Sequence, residues 1–272
     1  MALLLRFIIP LAILYLAFAG IMYVFQRNFL YFPDTNTPEI SDYKLDGVYD
    51  VVNIRTADGL TLHGWYHAPD RDDYPVIIYF HGNGGNFSSR SFLVTSYIEA
   101  GYGVLLAEYR GYGGNPGSPS EKGLYIDADA WINLLIDNFN KNQQDIVLFG
   151  ESLGTGVSVE MAVRYNVRAV ILQSPYTSIV DLAQSQYPIL PADMLLLDKY
   201  DSLSKIEDVH APLLIVHGAK DRVVPIRYGK ELFARANQDR KFLEIRGAGH
   251  NDLFEYGIAN AVIDFLQEVD SQ

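Results

Sequence analysis

The chain contains no cysteine. That absence excludes disulfide staples, thiolate catalysis and any metal site built on sulfur. It leaves the compartment open, since a disulfide-free protein can serve on either side of a membrane. Positive charge is also scarce: 21 Lys and Arg stand against 33 Asp and Glu, for a formal net charge of −12 and a pI of about 4.8. No run of Lys or Arg reverses this balance locally, so no nucleic acid is expected as a partner. Repeats and low-complexity tracts are missing as well. The 272 residues, 49% apolar and 20% charged, suffice for one large domain with a buried core, or two small ones.

The chain does have a long stretch without a charged side chain, Phe7 to Phe25. As a helix it rises roughly 28 Å, close to the hydrocarbon thickness of a bilayer. Arg6 and Arg27 bracket it, and Tyr23, Tyr31 and Phe32 sit where an aromatic belt belongs. Residues 1–27 are therefore expected to be a single-pass membrane anchor. Two other readings compete: a buried core helix, and a signal peptide cut after Ala19 in the small-x-small Ala17-Phe18-Ala19. A retained anchor accounts for Ile21 to Phe25, which a cut after Ala19 would leave unexplained. Arg6 and the amino group set against Arg27 place the remainder of the chain outside the cytoplasm.

Residues 28–47 form a Pro- and Asp-bearing connector, and the domain proper spans 48–272. Val51–Ile54 and Leu60–His67 read as strands joined at Ala57-Asp58-Gly59. Val76–Phe80 is a β-branched run of the kind buried on both faces. Thereafter helix-like and strand-like stretches alternate: a helix over Ser89–Ala100, a strand at Val104–Ala107, then a helix through Trp131. That last helix is expected to start with Ser118 as cap, Pro119 at the first position and Glu121 closing a capping box. Ile146–Phe149, Ala169–Leu172, Leu213–Val216 and Phe242–Ile245 continue the strands, and Leu253–Val269 closes with a helix. Such alternation predicts a mostly parallel sheet covered by helices on both faces. Residues 175–210 break the rhythm and read as a short apolar cap over the carboxyl ends of the strands, where such folds keep their chemistry.

Gly150-Glu151-Ser152-Leu153-Gly154 fits a nucleophile elbow, a strand-to-helix turn too tight for Cβ atoms beside the serine. The pentapeptide is a modest signal by itself; the β-branched strand before it and the helix after it strengthen it. Serine needs a base, itself oriented by an acid. Of the six histidines only His250 follows the final strand, in Gly247-Ala248-Gly249-His250-Asn251-Asp252. Asp221 lies between Ser152 and His250 in the loop after the strand ending at His217; Asp198 and Asp252 are fallbacks. The developing oxyanion needs preorganised N–H donors, expected from Leu153 and from Asn83 in the glycine-rich loop His81-Gly82-Asn83-Gly84-Gly85. A phosphate cradle there would need a following Lys-Ser/Thr or a GxGxxG, and neither is present. His63 and His67 share a strand face without carboxylate or thiol neighbours and read as structural. No cofactor and no metal is called for.

His81–Asn86, Tyr109-Arg110-Gly111-Tyr112-Gly113 with Pro119–Tyr125, the elbow, Ser174–Ser178 and Gly247–Asp252 together resemble the Bem46-like α/β hydrolases. The resemblance spans nearly the whole chain. It implies an α/β-hydrolase fold, Ser152, Asp221 and His250 as a triad, and an ester or thioester substrate, either a small or lipid-like acyl ester or an acylated protein. Cytoplasmic depalmitoylases of that group carry a cysteine-rich lipidated amino terminus, where this chain has its apolar run and no cysteine.

The leading expectation is a serine hydrolase acting through an acyl-enzyme on an ester or thioester with an apolar acyl group. A serine peptidase of related fold is an alternative, set back by the want of a large amino-terminal domain to filter peptides. A catalytically silent, membrane-tethered binding module is another, opposed by the complete set of serine, acid and histidine.

Overall fold

Runs of Val, Ile, Leu and Phe bounded by glycine become strands, and the stretches between them coil back as helices. In the computed structural model, which describes residues 2–271, the long helix α1 (Ala2–Leu30) leads into a two-residue strand, β1 (Phe32–Pro33). An antiparallel pair follows, β2 (Asp50–Arg55) and β3 (Thr61–His67). Next come β4 (Val76–Phe80), the short β5 (Gly84–Gly85), α2 (Thr95–Glu99), β6 (Gly103–Ala107) and α3 (Glu121–Asn133). β7 (Ile146–Glu151), α4 (Leu153–Arg164) and β8 (Ala169–Gln173) follow, and then two cap helices, α5 (Ile179–Gln186) and α6 (Ala192–Leu195). β9 (Leu213–Gly218), α7 (Ile226–Arg235), β10 (Arg240–Ile245) and α8 (Ile258–Asp270) complete the order.

The main sheet runs β10-β9-β8-β7-β4-β6-β3-β2. From β10 to β6 every pairing is parallel, and β3 turns the sheet antiparallel at its other end. Every residue of β4, β6 and β8 is buried, as a sheet covered on both faces requires. One core layer packs Trp131, Val157 and Leu232 of α3, α4 and α7 against the sheet. The opposite layer packs Tyr97, Val262 and Phe265 of α2 and α8. The fold is therefore the mostly parallel, helix-covered sheet expected from the alternation, and matches the α/β-hydrolase fold that the resemblance implies, with an apolar helix added in front.

Three local readings are corrected. The helix expected over Ser89–Ala100 is a 3₁₀ turn at Phe87–Arg90 followed by the shorter α2. Short polar side chains close the first turn early: Asn86 accepts from the Ser88 amide and Ser91 Oγ donates to the Ser88 carbonyl. The cap of α3 is Ser120, not Ser118; its Oγ accepts from the Gly123 amide at 3.1 Å, and Pro119 stands outside the helix. Glu121 is then free for another task, accepting from the Lys199 amide of the cap. Finally, α1 continues past Arg27 to Leu30, and β1 pairs in parallel with β5, so part of the connector is ordered against the sheet's loops.

Between Arg6 and Leu30, α1 is long and apolar enough to cross a membrane, with mean hydropathy 2.3 and none of its apolar window buried. Within this chain the window is thus not packed as a core helix would be. Burial begins at Gln26 and Tyr31. Gln26 exchanges hydrogen bonds with the Leu195 carbonyl and the Leu197 amide, Arg27 pairs with Asp198 at 2.8 Å, and Tyr31 shares a hydroxyl bond with Tyr200.

Candidate active site

β7 delivers Glu151 and Ser152 to a turn that α4 immediately leaves. Ser152 takes φ +50° and ψ −113°, a conformation L-residues avoid at a cost of about 1–3 kcal/mol. The turn closes because its neighbours lack side chains. A Cβ on Gly150 would lie 2.5 Å from the Gly154 carbonyl oxygen, and one on Gly154 only 2.0 Å from that of Phe80. The Ser152 amide donates to the Gln173 carbonyl at 2.9 Å, which fixes the elbow to β8.

The loops after β9 and β10 bring the other two residues to this serine. His250 Nε2 stands 3.0 Å from Ser152 Oγ, and His250 Nδ1 stands 2.7 Å from Asp221 Oδ2. The carboxylate claims the Nδ1 proton, so Nε2 faces the serine hydroxyl as the acceptor. The second Asp221 oxygen accepts from the amides of Val223 and Val224 at 2.9 and 2.8 Å, which locks its orientation. Burial opposes ionisation of Asp221, but hydrogen bonds from His217 and His250 outweigh it and hold the carboxyl well below its ordinary range. The fallback acids are engaged elsewhere: Asp198 binds Arg27 and the Glu121 amide, and Asp252 accepts from the Gly249 amide.

The two expected oxyanion donors face the same cavity as Ser152. Leu153 is the first residue of α4, so its N–H has no partner within the helix. The Asn83 side-chain amide donates to the Leu30 carbonyl at 2.8 Å, while the Asn83 main-chain carbonyl accepts from the Phe32 amide and the Tyr112 hydroxyl, each at 2.9 Å. Asn83 therefore offers its main-chain N–H on a loop held from two sides.

Reasoning from the sequence missed two buried pairs that hold this loop. Glu151 receives Arg90 Nε and Nη2 at 3.0 and 2.9 Å and the Tyr79 hydroxyl at 2.9 Å. Arg90 Nη1 donates in turn to the Gly84 carbonyl, so the pair clips the glycine loop to the elbow. Burial raises the Glu151 carboxyl, and the adjacent Arg90 charge overcomes this and lowers it. Beneath lies the fully buried His81–Glu108 pair at 2.6 Å, with Glu108 also accepting from the Phe87 amide. The partners in each pair are far apart in sequence, and the only local hint was a charged residue inside an otherwise apolar, glycine-rich setting.

Above Ser152 opens a cavity of about 210 Å³. The cap supplies Leu182, Leu190 and Leu195, the loop after β9 supplies Val223 and Val224, and α1 supplies a further wall. Its lining is mostly apolar, suited to an acyl group lying against the serine. His63 and His67 lie away from it, and His67 Nδ1 contacts the Val48 carbonyl. Among the described residues no group of three or more His, Asp or Glu is placed to hold a metal.

Residues 75–198 match the sequence profile of the α/β hydrolase fold. Over 228 residues the chain is 40% identical to uncharacterized protein Rv2307c of Mycobacterium tuberculosis, covering 84% of this chain and 81% of that one. It is 31% identical to uncharacterized protein YfhR of Escherichia coli K12, with the same two coverages. With α/β hydrolase domain-containing protein 17B of Xenopus laevis it shares 35% identity over 67% of this chain and 62% of that one. Among solved structures, the Pyrococcus furiosus esterase Pf2001 superposes with a TM-score of 0.71 at 18% identity, over 88% of this chain and 98% of its own. Profile, relatives and architecture agree: the chain belongs to the α/β-hydrolase family.

Proposed function

We propose that this protein is a membrane-anchored serine hydrolase of the Bem46-like branch, cleaving carboxylic esters or thioesters with an apolar acyl group. Ser152 Oγ attacks the acyl carbonyl carbon while His250 Nε2 takes its proton. Asp221 keeps the imidazole in the required tautomer and offsets the charge it gains. The carbonyl oxygen becomes an oxyanion facing the N–H groups of Leu153 and Asn83. Collapse breaks the bond to the leaving alcohol or thiol, which receives the proton from His250, and Ser152 is left acylated. Water then repeats the sequence, releasing the acid and regenerating the serine.

One observation carries this reading: three separate loops deliver an unbroken hydrogen-bonded chain from Ser152 through His250 to Asp221, at 3.0 and 2.7 Å. The apolar cavity above the serine supports an acyl substrate, and α1 supports residence in a membrane, the catalytic part lying outside the cytoplasm on the charge balance about the apolar run.

The test is labelling by a fluorophosphonate probe, with folding of each variant checked by circular dichroism. Labelling of the wild type that disappears in Ser152→Ala supports the proposal. A folded wild type that does not label, or a Ser152→Ala variant that labels equally, overturns it. A series of esters from acetyl to palmitoyl then reads the chain-length preference.

A further inference from the structure

Helix α1 builds part of the site as well as leading to it. Met22, Tyr23, Gln26, Phe29 and Leu30 recur at helical spacing and line the cavity over Ser152. The facing wall is the cap. Substrate space is thus enclosed between a helix suited to hydrocarbon and an apolar insertion.

The cap also extends along α1. At its base Gln26 and Arg27 bind Leu195, Leu197 and Asp198. At its tip the Tyr15 hydroxyl donates to the Ile189 carbonyl at 2.9 Å. Tyr15 lies about 16 Å back along the helix from Gln26, at ~1.5 Å per residue. Between Arg6 and Tyr15 there remains about 14 Å of helix, under half of a hydrocarbon layer of about 30 Å. If α1 spans, the tip of the cap lies below the membrane surface beside it.

The tip is constructed for that depth. Ile189, Met194 and Leu197 expose 68, 82 and 54% of their surfaces. A non-helical backbone in hydrocarbon must satisfy its polar groups within the protein, and over Tyr187–Ala192 all but one of them are satisfied despite standing at the surface. The carbonyls of Tyr187, Leu190, Pro191 and Ala192 accept from amides within the cap. Those of Pro188 and Ile189 accept from the side chains of Gln184 and Tyr15. Pro188 and Pro191 have no N–H to satisfy, and among Tyr187–Ala192 only the Ile189 amide lacks an acceptor among the described residues. Asp198 is buried in its pair with Arg27, and Asp193, its side chain 79% exposed, pairs with Lys199 at 2.6 Å.

We propose that the cap segment Tyr187–Leu197 is immersed in the leaflet alongside α1, and that the cavity takes the acyl chain of a membrane lipid ester directly from that leaflet. The second half of this statement rests on the hydrolase reading; the first rests only on the membrane-spanning reading of α1.

The cysteine-free chain makes depth directly measurable. Nitroxides are attached to Ile189→Cys and Met194→Cys and, as a control at the opposite end of the strands, Asn138→Cys, each full-length in dioleoyl phosphatidylcholine vesicles. Power saturation should show the two cap labels relaxed by oxygen and shielded from a water-soluble nickel chelate, with the reverse at residue 138. Nickel reaching all three equally would overturn immersion. The same measurement on the Ser152→Ala chain reads depth whether or not the serine reacts. For access, Ile189→Glu/Met194→Glu should cut hydrolysis of a vesicle-borne long-chain ester, relative to the same ester in detergent micelles, by roughly tenfold or more. An unchanged ratio, with fluorophosphonate labelling intact, would refute uptake from the leaflet. Loss of labelling in the wild type would instead refute the hydrolase reading alone.

Discussion

Replacing Glu151 by Gln tests how far the elbow depends on the charge behind it. The two side chains of the Arg90–Glu151 pair are each only 14% exposed, and Glu151 collects three hydrogen bonds. Glutamine keeps the shape but leaves the buried guanidinium without a counter-charge. Removing one member of such a pair costs about 3–5 kcal/mol when burial is complete, and the residual exposure here sets the expectation at about 3 kcal/mol. For a chain of this size that is a fall in Tm of about 6–12 °C. Replacing both members with Met should largely restore stability, because no unpaired charge remains. The cycle of Glu151→Met, Arg90→Met and the double Met variant, unfolded thermally in detergent micelles, should show coupling above about 1.5 kcal/mol. Simple addition of the two single losses would refute the argument, as would a loss below about 1 kcal/mol for Glu151→Gln. Turnover of a short ester by the double variant separates stability from positioning. The unclipped loop should lower kcat even where Tm recovers.

Three further outcomes are expected. Asp221→Asn, which removes the acceptor for His250 Nδ1, should lower kcat by on the order of ten-thousandfold with KM nearly unchanged, read by ester hydrolysis on folded protein. Gly154→Ala sets a Cβ 2.0 Å from the Phe80 carbonyl oxygen, where neither backbone can yield, so stability should fall by at least about 3 kcal/mol in thermal unfolding. Hydrogen bonds from Arg110 hold the Asp58 carboxyl down from 3.8 to about 2. Its folded value lies below its unfolded one, so its stabilising contribution is full above the unfolded value and is lost as pH falls towards about 2. Tm measured across that window should fall less steeply in Asp58→Asn than in the wild type.

The parts of the site that could be read in the sequence are those whose cause is local. Gly150 is glycine because of atoms that the turn itself brings close, and Gly154 because of the Phe80 carbonyl on the adjacent strand, but both fall in a pattern set by the turn, so the pattern carried the geometry. Asp221 and His250 were found by counting strand and loop units, which the β-branched runs make legible. The Arg90–Glu151 and His81–Glu108 pairs left no such trace, because partners set by tertiary packing obey no sequence spacing. The β1–β5 pairing escaped for a similar reason: two residues are too few to show alternation, and Phe32-Pro33 reads as a connector until Gly84-Gly85 lies beside it. Ser118, with Pro119 and Glu121 after it, is the better cap on paper, yet the helix starts from Ser120. The choice fell to the packing of Pro119 against Gly111, where an added Cβ would lie 2.9 Å from the proline ring.

The stitching of Leu30, Phe32 and Asn83 has a mechanical side. In the proposed mechanism, the peptide that offers its N–H to the oxyanion is fastened, through Asn83, to the end of the helix proposed to enter the bilayer. A helix in a thinner bilayer tilts, and in a thicker one stands straighter or draws lipid around it. Either motion pulls on the same three residues. Turnover of a water-soluble ester, a substrate that never enters the bilayer, would then vary with the acyl length of the surrounding lipid, and the hydrolase would act as a gauge of membrane thickness.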